Sequence, residues 1–283
     1  MMRLFLLQST NFFNRIFMRK IFWVLAATAA ISMASCQKSD EPSSISDANV
    51  EAAVDGDQVD GIYDEVASEV DQITFGVKAG SAPDSSGSRT VVTVKNGDGT
   101  ITKTVTFVNW KIGKYQRWTK NGQIVVTINP STYTRTVTFK NFAINGRKVE
   151  GTKTMVLNLQ SNTLTIKLTD GKVTFADGTT YTHAFTKVWT KVKGVDTPLN
   201  VWDDEYDITV DASGVNRRGK AYTEATTIPL HFKFGWPVFV SGEVKRVVDT
   251  HTITTNYGAG AEDFLVTITV DGVAKEINLL DRK

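Results

Sequence analysis

The stretch from Thr134 to Gly151, TRTVTFKNFAINGRKVEG, holds two β-strands and the turn that joins them. Val137 and Phe139 alternate with Thr and Lys, which is the two-residue period of a strand with one buried face. Asn145-Gly146 then offers the positive φ angles of a tight hairpin turn. The stretch therefore predicts an antiparallel hairpin with one apolar face.

The same pattern continues through residues 73–283, for example at Thr102–Val108 and Leu164–Leu168. Further Asn-Gly and Asp-Gly pairs predict tight turns at Asn96-Gly97, Asn121-Gly122, Asp170-Gly171, Asp177-Gly178 and Asp271-Gly272. Parallel strands need long crossover connections, and the sequence has no segment suited to that role. We therefore predict an all-β antiparallel meander or an elongated, sandwich-like sheet.

Weak internal repetition leaves two architectures open for the β body. Thr104–Asn109 (TVTFVN) returns as Thr136–Asn141 (TVTFKN). Two related β modules, 73–160 and 161–283, would explain the repeat, and so would one long twisted sheet that curls on itself.

A short helix is predicted over residues 58–72, ahead of the β body. Apolar residues recur at the helical spacing of three and four. They are Val59, Ile62, Tyr63, Val66, Val70 and Ile73. We expect this apolar face to pack on the sheet, with binding of a partner as the less economical alternative.

The chain begins with the pattern of a secretory leader. Arg19-Lys20 precedes the eleven-residue apolar run Ile21–Ile31, and small residues follow it. A helix that crosses a bilayer needs about 20 apolar residues, so this run predicts a signal peptide and no membrane span. Met18, directly before the basic pair, is an alternative translation start.

The segment at residues 33–36, MASC, ends at the single cysteine of the chain, Cys36. It resembles the lipobox of bacterial lipoproteins. That resemblance implies a signal peptide over residues 1–35, cleaved before Cys36, and covalent lipid on Cys36, including fatty acids such as palmitate. The alternative is an ordinary signal peptide with a cysteine nearby. With one cysteine in the sequence, no intramolecular disulfide can form.

Residues 36–57 are acidic and rich in serine at their start, and this composition predicts a disordered, lipid-anchored tether. Lys38, Asp40 and Glu41 resemble the surface-export signal of Bacteroidota-type lipoproteins, which implies an outer-membrane protein exposed on the cell surface. Ser39 interrupts that motif, and a plain acidic linker is the alternative.

The β body also resembles uncharacterised Bacteroidota-type lipoproteins. The similar segments are Thr136–Gly151, Trp202–Asp207 and Leu265–Ile277. Cysteines that such proteins carry near a glycine-rich segment are absent in this chain. The resemblance implies a location and an all-β architecture, but it implies no activity.

Charge is divided unevenly along the chain. Residues 37–71 hold eleven acids and one base, whereas residues 72–283 hold 27 bases and 19 acids. An acidic partner such as an anionic glycan would suit the basic body, and a scattered surface excess is the alternative. Because the basic residues form no dense cluster, nucleic acid is not expected as a partner.

One acidic cluster stands out in the body. Asp203, Asp204, Glu205 and Asp207 present oxygen ligands of the kind that calcium prefers. Paired carboxylates also hydrolyse glycosidic bonds. A solvated loop that leads into a strand is the third interpretation. The three histidines, His183, His231 and His251, are scattered singly, and no nucleophile or phosphate-binding motif is present, so we do not expect an enzyme.

Aromatic residues offer a different kind of site. Trp110, Tyr115 and Trp118 lie within nine residues, beside several bases, and could stack on the faces of sugar rings. Packing in the core is the alternative for these residues.

The sequence as a whole predicts a lipid-anchored, non-catalytic surface protein whose partner is a glycan or an envelope or matrix protein. The first alternative is a glycan-binding lipoprotein of a polysaccharide-uptake system. The second is a pilin-like subunit that exchanges an edge strand.

Overall fold

The computed structural model describes residues 47–75, 85–111, 118–197, 200, 202–236 and 238–278. The leader, Cys36, the export motif at Lys38, Asp40 and Glu41, and the first part of the predicted tether lie outside these residues. In the described part of the chain, no helix is long and apolar enough to cross a membrane.

One helix and thirteen strands make up the described residues. The helix is α1 (Asp47–Phe75). The strands are β1 (Ser86–Lys95), β2 (Ile101–Lys111), β3 (Lys120–Asn129), β4 (Thr134–Ile144), β5 (Arg147–Asn158), β6 (Thr163–Thr174), β7 (Thr180–Lys193), β8 (Glu205–Val215), β9 (Ala221–Lys233), β10 (Ser241–Val248), β11 (His251–Ala259), β12 (Leu265–Val270) and β13 (Val273–Asn278).

All thirteen strands belong to one sheet, in which each strand pairs antiparallel with the next along the chain. This meander confirms the predicted all-β antiparallel fold. At the proposed module boundary near residue 160, β5 and β6 pair from Lys148↔Thr174 to Asn158↔Thr163, with one shift of register between Glu150 and Thr152. The described strands therefore follow the single-sheet alternative.

The turn predictions are confirmed at four pairs and wrong at two. Asn145 and Gly146 both have positive φ angles in the turn between β4 and β5. Asn121-Gly122 instead lies inside β3, and Asp170-Gly171 lies inside β6. Both sites coincide with shifts of the strand register. A β-bulge uses the same positive φ that a hairpin turn does, so the dipeptide alone does not separate the two.

The repeated segment also ends at bulges. Asn109 and Asn141, the last residues of the two copies, have φ angles of 47° and 48°. A Cβ added at Gly87 would lie 2.2 Å from the Asn109 carbonyl oxygen, and one at Gly122 would lie 2.0 Å from that of Asn141. The repeat therefore encodes a bulge in which a glycine of the neighbouring strand passes close to the asparagine backbone.

Helix α1 packs on one face of the sheet with the predicted apolar residues. Val59, Tyr63, Val66 and Val70 are fully buried, in one cluster with residues of β2 to β10. This arrangement confirms the expected packing of the helix on the β body.

The helix is longer than the predicted span of 58–72, because it begins at Asp47 and ends at Phe75. Residues 47–57, which we predicted to be part of the disordered tether, are therefore helical. Alanines at 48, 52 and 53 favour helix, and acids near the amino end suit the helix dipole. The close approach at Gly56 also suits docking, since a Cβ there would lie 2.5 Å from Arg246 Nη1.

The opposite face of the sheet carries rows of threonine. Thr102 pairs with Thr127, Thr127 with Thr136, and Thr136 with Thr154, all half-buried. Adjacent threonines on neighbouring strands stabilise a sheet through side-chain contacts. Over β2 to β5, one face of the sheet thus packs against α1 and the other presents hydroxyl and methyl groups.

Candidate interaction sites

Ion pairs join the acidic helix to bases on the sheet. The pairs are Arg89–Glu69 (3.2 Å), Lys120 with Glu65 (2.5 Å) and with Glu69, Arg135–Asp71 (2.5 Å), His183–Asp60 (2.9 Å), Arg217–Asp55 (2.9 Å) and Arg246–Asp60 (3.9 Å). The bases come from β1, β3, β4, β7 and β10 and from the turn after β8. Five of the eleven acids counted in residues 37–71 therefore pair with bases of the β body.

Lys120 lies at the centre of this interface and is only 1% exposed. Burial alone would lower the pKa of its amine, but Glu65 and Glu69 outweigh burial and raise that pKa. Lys120 therefore stays charged. Its ammonium group donates hydrogen bonds to both carboxylates in place of water. Removing one member of such a buried cluster leaves an uncompensated charge.

Two other lysines hold the helix backbone. Lys103 donates a hydrogen bond to the Ile73 carbonyl (2.7 Å) near the carboxyl end of α1, where a positive charge suits the helix dipole. Lys153 donates to the Tyr63 carbonyl (3.0 Å), and burial lowers the pKa of its amine to about 8. Tyr63 in turn donates to the Glu150 carbonyl (2.7 Å). These contacts fix the position of the helix along the sheet.

His183 joins an Asp–His–Tyr arrangement that the sequence analysis missed. Its Nε2 lies 2.9 Å from an Asp60 carboxylate oxygen, and its Nδ1 lies 2.5 Å from Tyr222 Oη. Burial opposes ionisation of Asp60, but His183, with Lys187 and Arg246, outweighs it and holds the pKa of Asp60 well below its usual value. His183 is only 4% exposed, and its partner Asp60 lies on α1, so this group connects the helix to the sheet.

The predicted acidic cluster divides among separate partners. Thr197 donates to Asp203 Oδ2 (2.7 Å), whereas Asp204 is buried and lies 2.7 Å from Lys191 Nζ. Burial, which is the main influence on Asp204, raises the pKa of its carboxyl group. No group of three or more His, Cys, Asp or Glu in the described residues has the arrangement of a metal site. Calcium binding stays a prediction.

The two remaining acids of that cluster, Glu205 and Asp207, meet at His231. Its Nδ1 lies 2.7 Å from Asp207, and its Nε2 lies 3.1 Å from Glu205. Glu205 also pairs with Lys193 (2.9 Å), and the pKa of Glu205 is lowered mainly by that hydrogen bond. Lys193 lies on β7, Glu205 and Asp207 lie on β8, and His231 lies on β9. Their contacts therefore connect three neighbouring strands.

The predicted aromatic site does not form one exposed platform in the described residues. Trp110 is only 7% exposed and belongs to the core, and Trp118 packs against the same core. Tyr115 lies outside the described residues. Trp110 therefore has the core role that the sequence left as the alternative.

A different tryptophan faces solvent. Trp202, in the turn before β8, is 64% exposed, more than any other large apolar side chain in the described residues. Its ring packs edge-to-face on Phe234, with 5.4 Å between ring centroids. The sequence contains Trp202 next to the acidic cluster, but nothing in the sequence distinguishes it from the buried tryptophans.

No protein-family model, no curated protein and no solved structure matches this chain. The resemblance to Bacteroidota-type lipoproteins therefore rests on the sequence segments quoted above and stays a prediction.

Proposed function

We propose that this chain is a lipid-anchored lipoprotein of the outer membrane, whose β body has a non-catalytic role in interaction or structure at the cell surface. The observation that carries the proposal is the position of Cys36, directly after a basic, apolar and small-residue leader. A multiply acylated cysteine would bind a membrane firmly, whereas one acyl chain binds only reversibly.

The packing of α1 supports this role, because the helix connects the anchor to the body. Only ten residues separate Cys36 from Asp47, where the helix begins. Pulling from the membrane would act on the amino-terminal half of α1, which Arg217 contacts at Asp55 and Arg246 contacts at Asp60. A firmly docked helix suits a body that must keep its shape while it is tethered.

The positions of the partners of the buried ionisable groups also support a structural role. Lys120, Asp60 and His183 combine burial with close charged partners, as catalytic groups often do. Here their partners lie on α1 and the sheet, so their interactions are used for docking the helix.

Metabolic labelling with palmitate tests the anchor. The wild type should incorporate label and sediment with membranes, whereas Cys36→Ala should remain unlabelled and appear in the soluble fraction. Ser44→Ala, a similarly small change beyond the lipobox, should behave as the wild type. Equal labelling of Cys36→Ala and the wild type would contradict lipidation at Cys36.

Of the alternatives, glycan binding is favoured by one specific observation, which is the exposed ring of Trp202.

A further inference from the structure

Strand β1 forms one edge of the sheet. Among the described strands it pairs with β2 alone. Its apolar residues Val91, Val92 and Val94 are 44%, 61% and 51% exposed, so both faces of the strand offer apolar surface to solvent. A long edge strand with exposed apolar residues is a template for pairing with a strand of another chain.

The pairing with β2 shows which backbone groups of β1 point outward from the edge. The Asn96 N–H donates to the Thr100 carbonyl (2.8 Å) in the turn, and the register stays regular over residues 88–95. In an antiparallel pair, alternate residues bond to the neighbouring strand. The even-numbered residues therefore bond to β2, whereas the odd-numbered ones, Val91 and Thr93 among them, direct their N–H and C=O groups away from it.

The other edge of the sheet, β13, is protected from such pairing. It has six residues, and the charged residues Lys275 and Glu276 lie at its centre. Charged side chains on an edge strand oppose its pairing with other chains. In β1 the charges of Arg89 and Lys95 instead flank an uncharged centre, residues 90–94. The edge that can accept another strand is therefore β1.

We propose that β1 pairs with β1 of a second copy of this chain, antiparallel and with the two Val91 residues opposite each other. This arrangement has a two-fold axis, which is the commonest symmetry of protein dimers. The odd-numbered residues then exchange the backbone hydrogen bonds that face away from β2. The two Val91 side chains cover each other beside Val105, the fully buried residue opposite Val91 on β2. Unlike in the pilin-like alternative, no strand leaves its own sheet.

Charge selects this register. The faces of the two sheets match only if the strands slide past each other in steps of two residues. With Val91 on the axis, Arg89 lies opposite an uncharged residue. One step places Val92 on the axis and Arg89 opposite Lys95 at both ends of the pair, and like charges directly opposite each other destabilise a sheet. A step in the other direction extends the pair into the irregular register at residues 86–88.

This inference goes beyond the proposed membrane anchor, because the pairing of β1 needs no lipid. Cysteine crosslinking of the mature protein in mild detergent tests it, since lipid would block the single native thiol, at Cys36. The probe is a bismaleimide with an ethylene linker. With Val91→Cys, it joins thiols on directly opposed residues, whose Cα atoms lie about 5.5 Å apart. Val94→Cys is the matched control, because Val94 is similarly exposed but the two Val94 residues of the dimer would lie about 20 Å apart.

We expect Val91→Cys to give a crosslinked dimer and Val94→Cys to give no more of it than the wild type does. Adding Thr93→Pro to Val91→Cys should abolish the dimer, because proline removes an N–H that faces away from β2 and is tolerated at such edge positions. Adding Thr93→Val, which keeps that N–H, should leave the dimer. Equal crosslinking of Val91→Cys and Val94→Cys, or none with Val91→Cys, overturns the pairing. Crosslinking of the wild type would show a free thiol at Cys36, and would contradict the lipid anchor and not the pairing.

Discussion

Replacing Lys120 by methionine should weaken the docking of α1 more than any surface charge change does. The substitution leaves Glu65 and Glu69 without the amine that contacts both of them. Breaking a buried ion pair from one side costs about 3–5 kcal/mol. Glu69 keeps Arg89 at 3.2 Å, and Glu65 has a side chain that is 16% exposed, so part of this cost is relieved. We therefore expect a loss at the lower end, about 3 kcal/mol.

Urea unfolding, followed by tryptophan fluorescence, measures this loss as a lower midpoint with an unchanged slope. Lys148→Met is the control, because Lys148 pairs with Glu150 on the exposed surface of β5, where both side chains are more than a third exposed. Such a pair contributes about 1 kcal/mol or less. If Lys120→Met costs no more than Lys148→Met, the buried ion pairs do not hold the helix in place.

A double-mutant cycle tests whether Lys120 stabilises the fold through Glu69. Glu69→Gln removes the acid, and the double variant Lys120→Met with Glu69→Gln removes both charges. Because the two residues are in contact, their effects should deviate from additivity by about 1–3 kcal/mol. Additive losses would show that Lys120 acts through something other than Glu69.

Three further outcomes follow from the same interface. Burial lowers the pKa of Lys153 to about 8 from 10.5, so its charged form is disfavoured in the fold below pH 8. Lys153→Met removes that cost of about 3 kcal/mol and loses the hydrogen bond to the Tyr63 carbonyl, which contributes about 1 kcal/mol. The free energy of unfolding at pH 7 should therefore rise by about 2 kcal/mol, a gain that shrinks as pH rises from 8 to 10.5 in urea titrations. The pKa of Asp60 is lowered beneath its unfolded value of 3.8, so ionised Asp60 stabilises the fold fully above that pH, and this stabilisation is lost as the pH falls below it. Asp60→Asn should therefore lower the free energy of unfolding at pH 7, and the difference from the wild type should disappear in unfolding curves measured in acid. Tyr63→Phe should cost about 1 kcal/mol by thermal unfolding, because the Glu150 carbonyl loses a buried donor.

Short-range patterns in the sequence predicted the elements that depend on neighbouring residues. The alternation around Val137 and the Asn145-Gly146 turn predicted a hairpin because its first strand, its turn and the start of its second strand lie close together in the sequence. The apolar spacing from Val59 to Val70 gave the buried helix face for the same reason. Asn121-Gly122 was misread as a turn, since its positive φ serves a bulge equally well.

These short-range patterns could not predict contacts between distant parts of the chain. His183 meets Tyr222 across 39 positions of sequence, and it meets Asp60 across more than a hundred. Only the pairing of strands and the docking of α1 bring these residues together. Likewise, Trp110 and Trp202 are the same residue type, and the fold alone buries one and exposes the other.

Protease shaving of intact cells tests the central claim, which is that a lipid on Cys36 displays the β body at the cell surface. External protease should remove the body from cells that produce the wild type, and a periplasmic marker protein in the same cells should survive. In cells that produce Cys36→Ala, the cell-associated protein should resist the protease. A wild-type body that stays intact until the outer membrane is broken would contradict the account.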